Sequence, residues 1–194
     1  MKKYIAEALG TFTLAFVVGL SISGLFPVPT PVLAALVLGL FVYSIGHISG
    51  THINPAVTIG AWSIGKLSPS DAVGYIVSQC IGGFIALLLL SMTGYSPVLS
   101  VSGDIMIGLA ELLGTFFFTF GIASVIFVRT PSQMSGLVIG GSLLLGITIS
   151  ALLGANGVLN PAVALGIGSF GLMYVLGPII GSVLGMQAYK YLNQ

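Results

Sequence analysis

Apolar residues run through this chain in long, nearly unbroken blocks, at about residues 5–25, 32–49, 72–93, 105–128, 134–154 and 172–191. Each block is close to the roughly 20 residues that a helix needs to cross the hydrocarbon core of a bilayer, so the pattern predicts six membrane-spanning helices. Turn residues separate them: Pro27, Pro29 and Pro31 after the first, Gly94, Pro97 and Gly103 after the third, Thr130-Pro131-Ser132 after the fourth. Two stretches, 50–71 and 155–171, break the pattern. Each carries an Asn-Pro-Ala triplet, Asn54-Pro55-Ala56 and Asn160-Pro161-Ala162, ahead of a run too apolar for a surface loop and, at about ten residues, too short to span. They predict two half-length helices, one in each half of the chain.

The halves are related. Residues 6–16 (AEALGTFTLAF) match residues 110–120 (AELLGTFFFTF) at seven of eleven positions, 104 residues apart, and the two triplets stand 106 residues apart. The repeat unit is therefore three spans plus a half-helix, about 1–100 and 101–194, within a single domain of 1–194. Three is odd, so the second unit inserts upside down relative to the first. The expected fold is an all-α integral membrane protein with six transmembrane helices plus two half-helices in an inverted repeat.

Composition narrows the reading further. With 56% hydrophobic and 5% charged residues among 194, the chain cannot hide its apolar surface inside a water-soluble fold, and its expected surroundings are the lipid bilayer. A formal net charge of +1 supplies no basic face for nucleic acid. Cys80, the single cysteine, cannot form an intramolecular disulfide and reads as a packed thiol. Met1-Lys2-Lys3 resembles the start of a signal peptide, but Glu7 interrupts the apolar run and no cleavage site follows, so the segment is read as a retained first helix. The five cationic residues, Lys2, Lys3, Lys66, Arg129 and Lys190, all fall on one side of six crossings, which by the positive-inside rule places both termini in the cytoplasm of a multi-pass cell-membrane protein.

The triplets have a chemical logic. Asn caps a helix by accepting from backbone N–H groups of the first turn, and Pro suits the next position because its missing N–H costs nothing there. With its carbonyl so held, each amide can only donate. Two half-helices meeting from opposite faces would present two donors and two positive helix ends at the bilayer midplane. A passing oxygen accepts both bonds and turns its hydrogens outward, which breaks a proton wire; a cation meets positive potential.

These residues resemble the aquaporin, or major intrinsic protein, family of water and glycerol channels. The resemblance rests on His47-Ile48-Ser49-Gly50 leading into Asn54-Pro55-Ala56-Val57-Thr58, on the Ala-Glu-x-x-Gly-Thr-Phe openings at 6–12 and 110–116, and on the second triplet, and it covers essentially the whole chain. It implies an hourglass of six tilted helices, passive permeation of water and small neutral solutes, and a homotetramer with a pore in each subunit. It implies no cofactor and no metal. Glu7 and Glu111, the acids placed inside spans, could serve a proton relay or could brace the loops ahead of the half-helices; the resemblance favours bracing. It also implies that the carbonyls of Gly50, Thr51, His52 and Ile53, with those of Asn156, Gly157, Val158 and Leu159, form the polar loop stripe of the pore. His47 reads as a helix-end residue.

The outer constriction departs from the family. An Arg usually follows the second triplet; here it is Val163. By resemblance the remaining constriction positions fall on Ala34, Thr148 and Gly157, which predicts a selectivity filter of four small, mostly apolar side chains and a mouth open to solutes of glycerol size. A register shifted by one residue would bring in a bulkier neighbour instead. Other classes remain: an inverted-repeat secondary transporter using Glu7 and Glu111, or a structural membrane protein with a vestigial pore. The chain offers no cluster of acid, base and nucleophile for an enzyme.

Overall fold

The computed structural model describes residues 1–22, 24, 27–94, 99 and 103–194; the expected end of the first span at 25, and Pro97, lie outside them. Among the described residues eight α-helices follow one another: α1 Lys2–Ile22, α2 Thr30–Ser49, α3 Pro55–Ser63, α4 Pro69–Met92, α5 Ile105–Ile126, α6 Ser135–Leu152, α7 Pro161–Gly166 and α8 Met173–Leu192, with a 3-10 turn at Ser132–Met134 leading into α6. No strand occurs among the described residues. Backbone polar groups buried in lipid must be satisfied within the segment, and an all-helical chain does this.

Five of the helices, α1, α2, α4, α5 and α6 with its 3-10 turn, are both long and apolar enough to cross a membrane. At 20 residues α8 has the length, about 30 Å at 1.5 Å per residue, but Pro178, Gln187 and Lys190 dilute its apolar character. The half-helices are unequal: α3 has nine residues and α7 only six, short of the run of about ten expected from the apolar pattern.

The main packing pairs are α1 with α4 and α5 with α8, and α2 lies along α6. Small residues allow the close approach that packing in lipid requires. A Cβ on Gly82 of α4 would strike the backbone carbonyl of Ala8 in α1, and a Cβ on Gly181 of α8 would strike that of Leu112 in α5. The outward faces carry Leu9, Leu40, Phe84, Leu88, Phe117 and Leu145 exposed, a surface suited to acyl chains rather than water.

One end of the bundle is tied by polar contacts. Lys3 Nζ lies 2.7 Å from Asp71 Oδ1, and the Tyr4 hydroxyl donates to the same oxygen at 2.9 Å. Lys66 Nζ sits 5.0 Å from the centre of the Phe127 ring, and Arg129 Nε donates to Asn193 Oδ1 at 2.6 Å. Contacts thus join the start of α1 to α4, the α3–α4 turn to the end of α5, and the segment after α5 to the end of α8.

Candidate functional site

Asn54 and Asn160 enter α3 and α7 in extended backbone, with φ of −161° and −148°. Asn54 Oδ1 accepts from the backbone N–H of Ala56 at 2.8 Å. Asn160 Oδ1 accepts from Ala162 and Val163 at 3.0 and 3.2 Å. Each amide NH₂ is thereby aimed away from its own helix. Asn54 Nδ2 donates to the carbonyl of Leu159 at 2.9 Å, and Asn160 Nδ2 donates to the carbonyl of Ile53 at 2.9 Å. This reciprocal pair ties the two half-helices tip to tip. Capping alone leaves both N–H groups of each amide available; the cross-link takes one and leaves one.

The backbone ahead of each triplet turns through left-handed conformations: Gly50, Thr51 and Ile53 at φ of 85°, 53° and 39°, and Gly157 and Leu159 at 67° and 54°. A non-glycine residue held there costs on the order of 1–3 kcal/mol. Two buried acids hold the turns. Glu7 of α1 accepts from His52 N at 3.0 Å and from Ile53 N, and Gln79 Nε2 donates to it at 2.8 Å. Glu111 of α5 accepts from Val158 N at 3.0 Å and Leu159 N at 2.7 Å, and from the Ser150 hydroxyl at 3.3 Å. With those N–H groups engaged, the carbonyls of Ile53 and Leu159 face the opposite triplet.

A cavity of about 300 Å³ opens onto this junction, with Asn54 and Asn160 both in its wall. The sequence profile of the family described as Major intrinsic protein matches residues 1–189. The chain belongs to the major intrinsic protein, or aquaporin, family. Aquaporin AqpM of Methanothermobacter thermautotrophicus is 32% identical over 242 residues, which cover 99% of this chain and 97% of that protein. Aquaporin Z of Photorhabdus laumondii is 32% identical over 228 residues, covering 99% and 97%. The X-ray structure of the aquaglyceroporin from Plasmodium falciparum superposes with a TM-score of 0.66 at 21% identity, over 98% of this chain and 94% of that one, and shares the fold. This member of the major intrinsic protein family is a multi-pass membrane protein.

Ala34, Gly157 and Val163 stand in the cavity wall of this family member, as do His52, Ile53, Asn156 and Val158. Thr148 is a correction. It is exposed on the outer face of α6, with its hydroxyl turned back to the carbonyl of Leu144 at 2.8 Å. Leu143 and Ile147, one helical turn apart, face the cavity instead. Counting back from Asn160 crosses the irregular segment 153–159, which does not keep the register of the count.

Gly50, Thr51 and Leu159 are not among the residues that line this cavity; the role expected of them rests on their carbonyls, and that of Leu159 accepts from Asn54 at the junction. Gly50 closes α2 as its left-handed C-cap and donates to the carbonyl of Gly46 at 2.8 Å. Thr51 is buried, its hydroxyl donating to the carbonyl of Phe41 at 3.2 Å. The Leu159 side chain is fully buried, seated against Gly114 and Gly146 where neither has room for a Cβ. Pro55, Ala56, Pro161 and Ala162 are buried as well; the carbonyl of Ala162 occupies the space a Cβ on Gly83 would need.

The site recruits residues that motif reading passes over. Gln79 bridges Glu7 and Thr58, donating to the Thr58 hydroxyl at 2.9 Å, and Thr58 Oγ1 in turn lies 3.2 Å from His52 Nδ1. The Tyr75 hydroxyl donates to the carbonyl of Ser49 at 2.7 Å, and its ring meets His52 edge-on. Asn156 Nδ2 donates to the Tyr174 hydroxyl at 2.7 Å. The one signal in the sequence was Gln79, an amide inside an otherwise apolar span. No group of three or more His, Cys, Asp or Glu side chains that could hold a metal ion occurs among the described residues.

Proposed function

We propose that this chain is a passive channel for water and small neutral solutes of about glycerol size, and that protons and cations are excluded where Asn54 and Asn160 meet. The observation that carries this reading is the cavity wall that holds both amides, each with one N–H committed to the opposite loop and one remaining. An oxygen at that point accepts both remaining N–H groups. Its own hydrogens then point away from the junction in both directions, and a proton cannot be relayed through it. The first turn of α3 adds positive potential against cations; α7, at six residues, adds less.

Family membership supports a homotetramer with one pore per subunit, two oppositely inserted repeats, and a channel rather than an enzyme. The chain of contacts through Lys3, Lys66 and Arg129 at one end of the bundle supports both termini in the cytoplasm of the cell that carries the protein in its membrane. Glu7 and Glu111 are fully buried and spent on backbone N–H groups, which supports bracing over proton transport.

The test is flux. In proteoliposomes, stopped-flow scattering is expected to show water and glycerol permeation above empty vesicles that neither saturates nor responds to a proton gradient. Asn54→Asp or Asn160→Asp replaces a donor with an acceptor and is expected to raise cation conductance in a planar bilayer by at least about tenfold, the factor set by 1.4 kcal/mol. Unchanged conductance in both variants would remove the junction as the ion barrier.

A further inference from the structure

We infer that this pore favours neutral solutes that carry an alkyl group beside their polar edge over polyols of similar size. The inference rests on the channel reading above and concerns what the same cavity selects.

None of the described residues in the cavity wall is charged. Its polar side chains are few and partly engaged. The Thr30 hydroxyl is paired with that of Ser21 at 3.0 Å, His52 Nδ1 lies 3.2 Å from Thr58 Oγ1, Asn156 gives its amide to Tyr174, and the two triplet amides keep one N–H each. These groups and the loop backbone come from the triplets, their loops and the start of α2. The other wall side chains, among them Val18, Leu38, Phe118, Leu143, Ile147 and Val163, supply only carbon. The exchange of Thr148 for Ile147 in this wall removes the single hydroxyl that sequence counting places at the constriction, and Val163 offers no side-chain donor where the family carries Arg.

A solute with hydroxyls on every side must therefore turn at least one toward aliphatic surface. That group loses its water bonds without replacement. A solute with a methyl group on that side loses nothing and gains apolar contact. A carbon-lined pocket separates solutes that differ by one methylene or one hydroxyl only modestly, so the discrimination expected here is a small factor set by the polar group left unmatched at the wall.

The experiment uses the full chain in proteoliposomes and two matched pairs, 1,2-propanediol against glycerol and methylurea against urea, with water as reference and empty vesicles subtracted. The methyl-bearing member of each pair is expected to permeate faster through the channel by about fourfold, the contribution of one methylene-sized group leaving water. Val163→Thr and Ile147→Thr place a hydroxyl on the carbon wall and are each expected to pull the ratio toward one. Water flux with a wild-type ratio at or below one overturns the inference while leaving the channel intact. A fourfold ratio unmoved in both variants overturns the assignment to this wall. Absence of any channel-borne flux, water included, overturns the channel reading and the inference with it.

Discussion

The two loops that carry the Asn-Pro-Ala triplets do the same work with different anchorage. The first is held by a connected set: Glu7 takes two backbone N–H groups, Gln79 joins Glu7 to Thr58, Thr58 also donates to the carbonyl of Asn54 at 3.0 Å, and His52 closes onto Thr58. The second has Glu111 with two backbone N–H groups and one long bond from Ser150. The helix behind each loop shows why. Tyr75 in α4 and Tyr174 in α8 both reach loop polar groups, but four residues on α4 has Gln79 and α8 has Pro178. Proline has no side-chain donor, so the second acid is served from α6. The difference teaches that the motif fixes what each loop must present, while the partners that hold it are free to differ.

The largest effects are expected at the acids. Glu7→Gln keeps one acceptor oxygen and turns the other into an NH₂ facing a backbone N–H, which leaves a buried donor unpaired at a cost of about 2–3 kcal/mol or more. Glu111→Gln makes the same mismatch. Glu7→Gln is expected to cost more, because it also disturbs the bond from Gln79. Thermal melts followed by the fluorescence of Trp62, the single tryptophan, which lies on α3, would read the first loop directly. Equal losses in the two variants would mean that the connected set adds nothing to the bare acid.

Gln79→Leu and Ser150→Ala separate the loops more finely. Gln79 is fully buried and donates two bonds of 2.8 and 2.9 Å, so its loss strands part of Glu7 and of Thr58 and is expected to cost about 1–2 kcal/mol. The Ser150 bond is 3.3 Å long, and Ser150→Ala is expected to cost less than about 1 kcal/mol. The same melts in detergent rank them. A larger loss for Ser150→Ala would reverse the assignment of the better-held loop.

The sequence showed the helices because bilayer crossing imposes length and hydropathy on contiguous residues, and it showed the triplets because capping chemistry is local. Glu7 and Glu111 were legible as anomalies in apolar spans, but the sequence left two roles open, and the N–H groups they face support bracing. What the sequence did not carry was register across irregular backbone. The segment 153–159 between α6 and Asn160 holds left-handed turns at Gly154, Gly157 and Leu159, and a count through it lands on Thr148 when Ile147 faces the cavity. The cross-link between the amides was hidden for another reason: it joins residues more than a hundred positions apart, and nothing near either triplet encodes it.

The smallest expected effect compares two threonines in the same motif. Thr115 donates its hydroxyl to the carbonyl of Glu111 at 2.7 Å, whereas Thr11, four residues after Glu7 and fully buried, has no partner for its hydroxyl among the described residues. A buried hydroxyl without a partner costs about 1–3 kcal/mol relative to a satisfied one, while an apolar group of the same shape carries no such penalty. Thr11→Val is therefore expected to be neutral or to stabilise by up to about 1 kcal/mol, and Thr115→Val to destabilise by about 0.5–1 kcal/mol through loss of a back-bond within its own helix. Opposite signs in paired thermal melts would show that two copies of one motif have drifted apart in what their hydroxyls do. Matching losses would place a hydrogen-bond partner on Thr11 and bring the two halves closer together than their anchorage suggests.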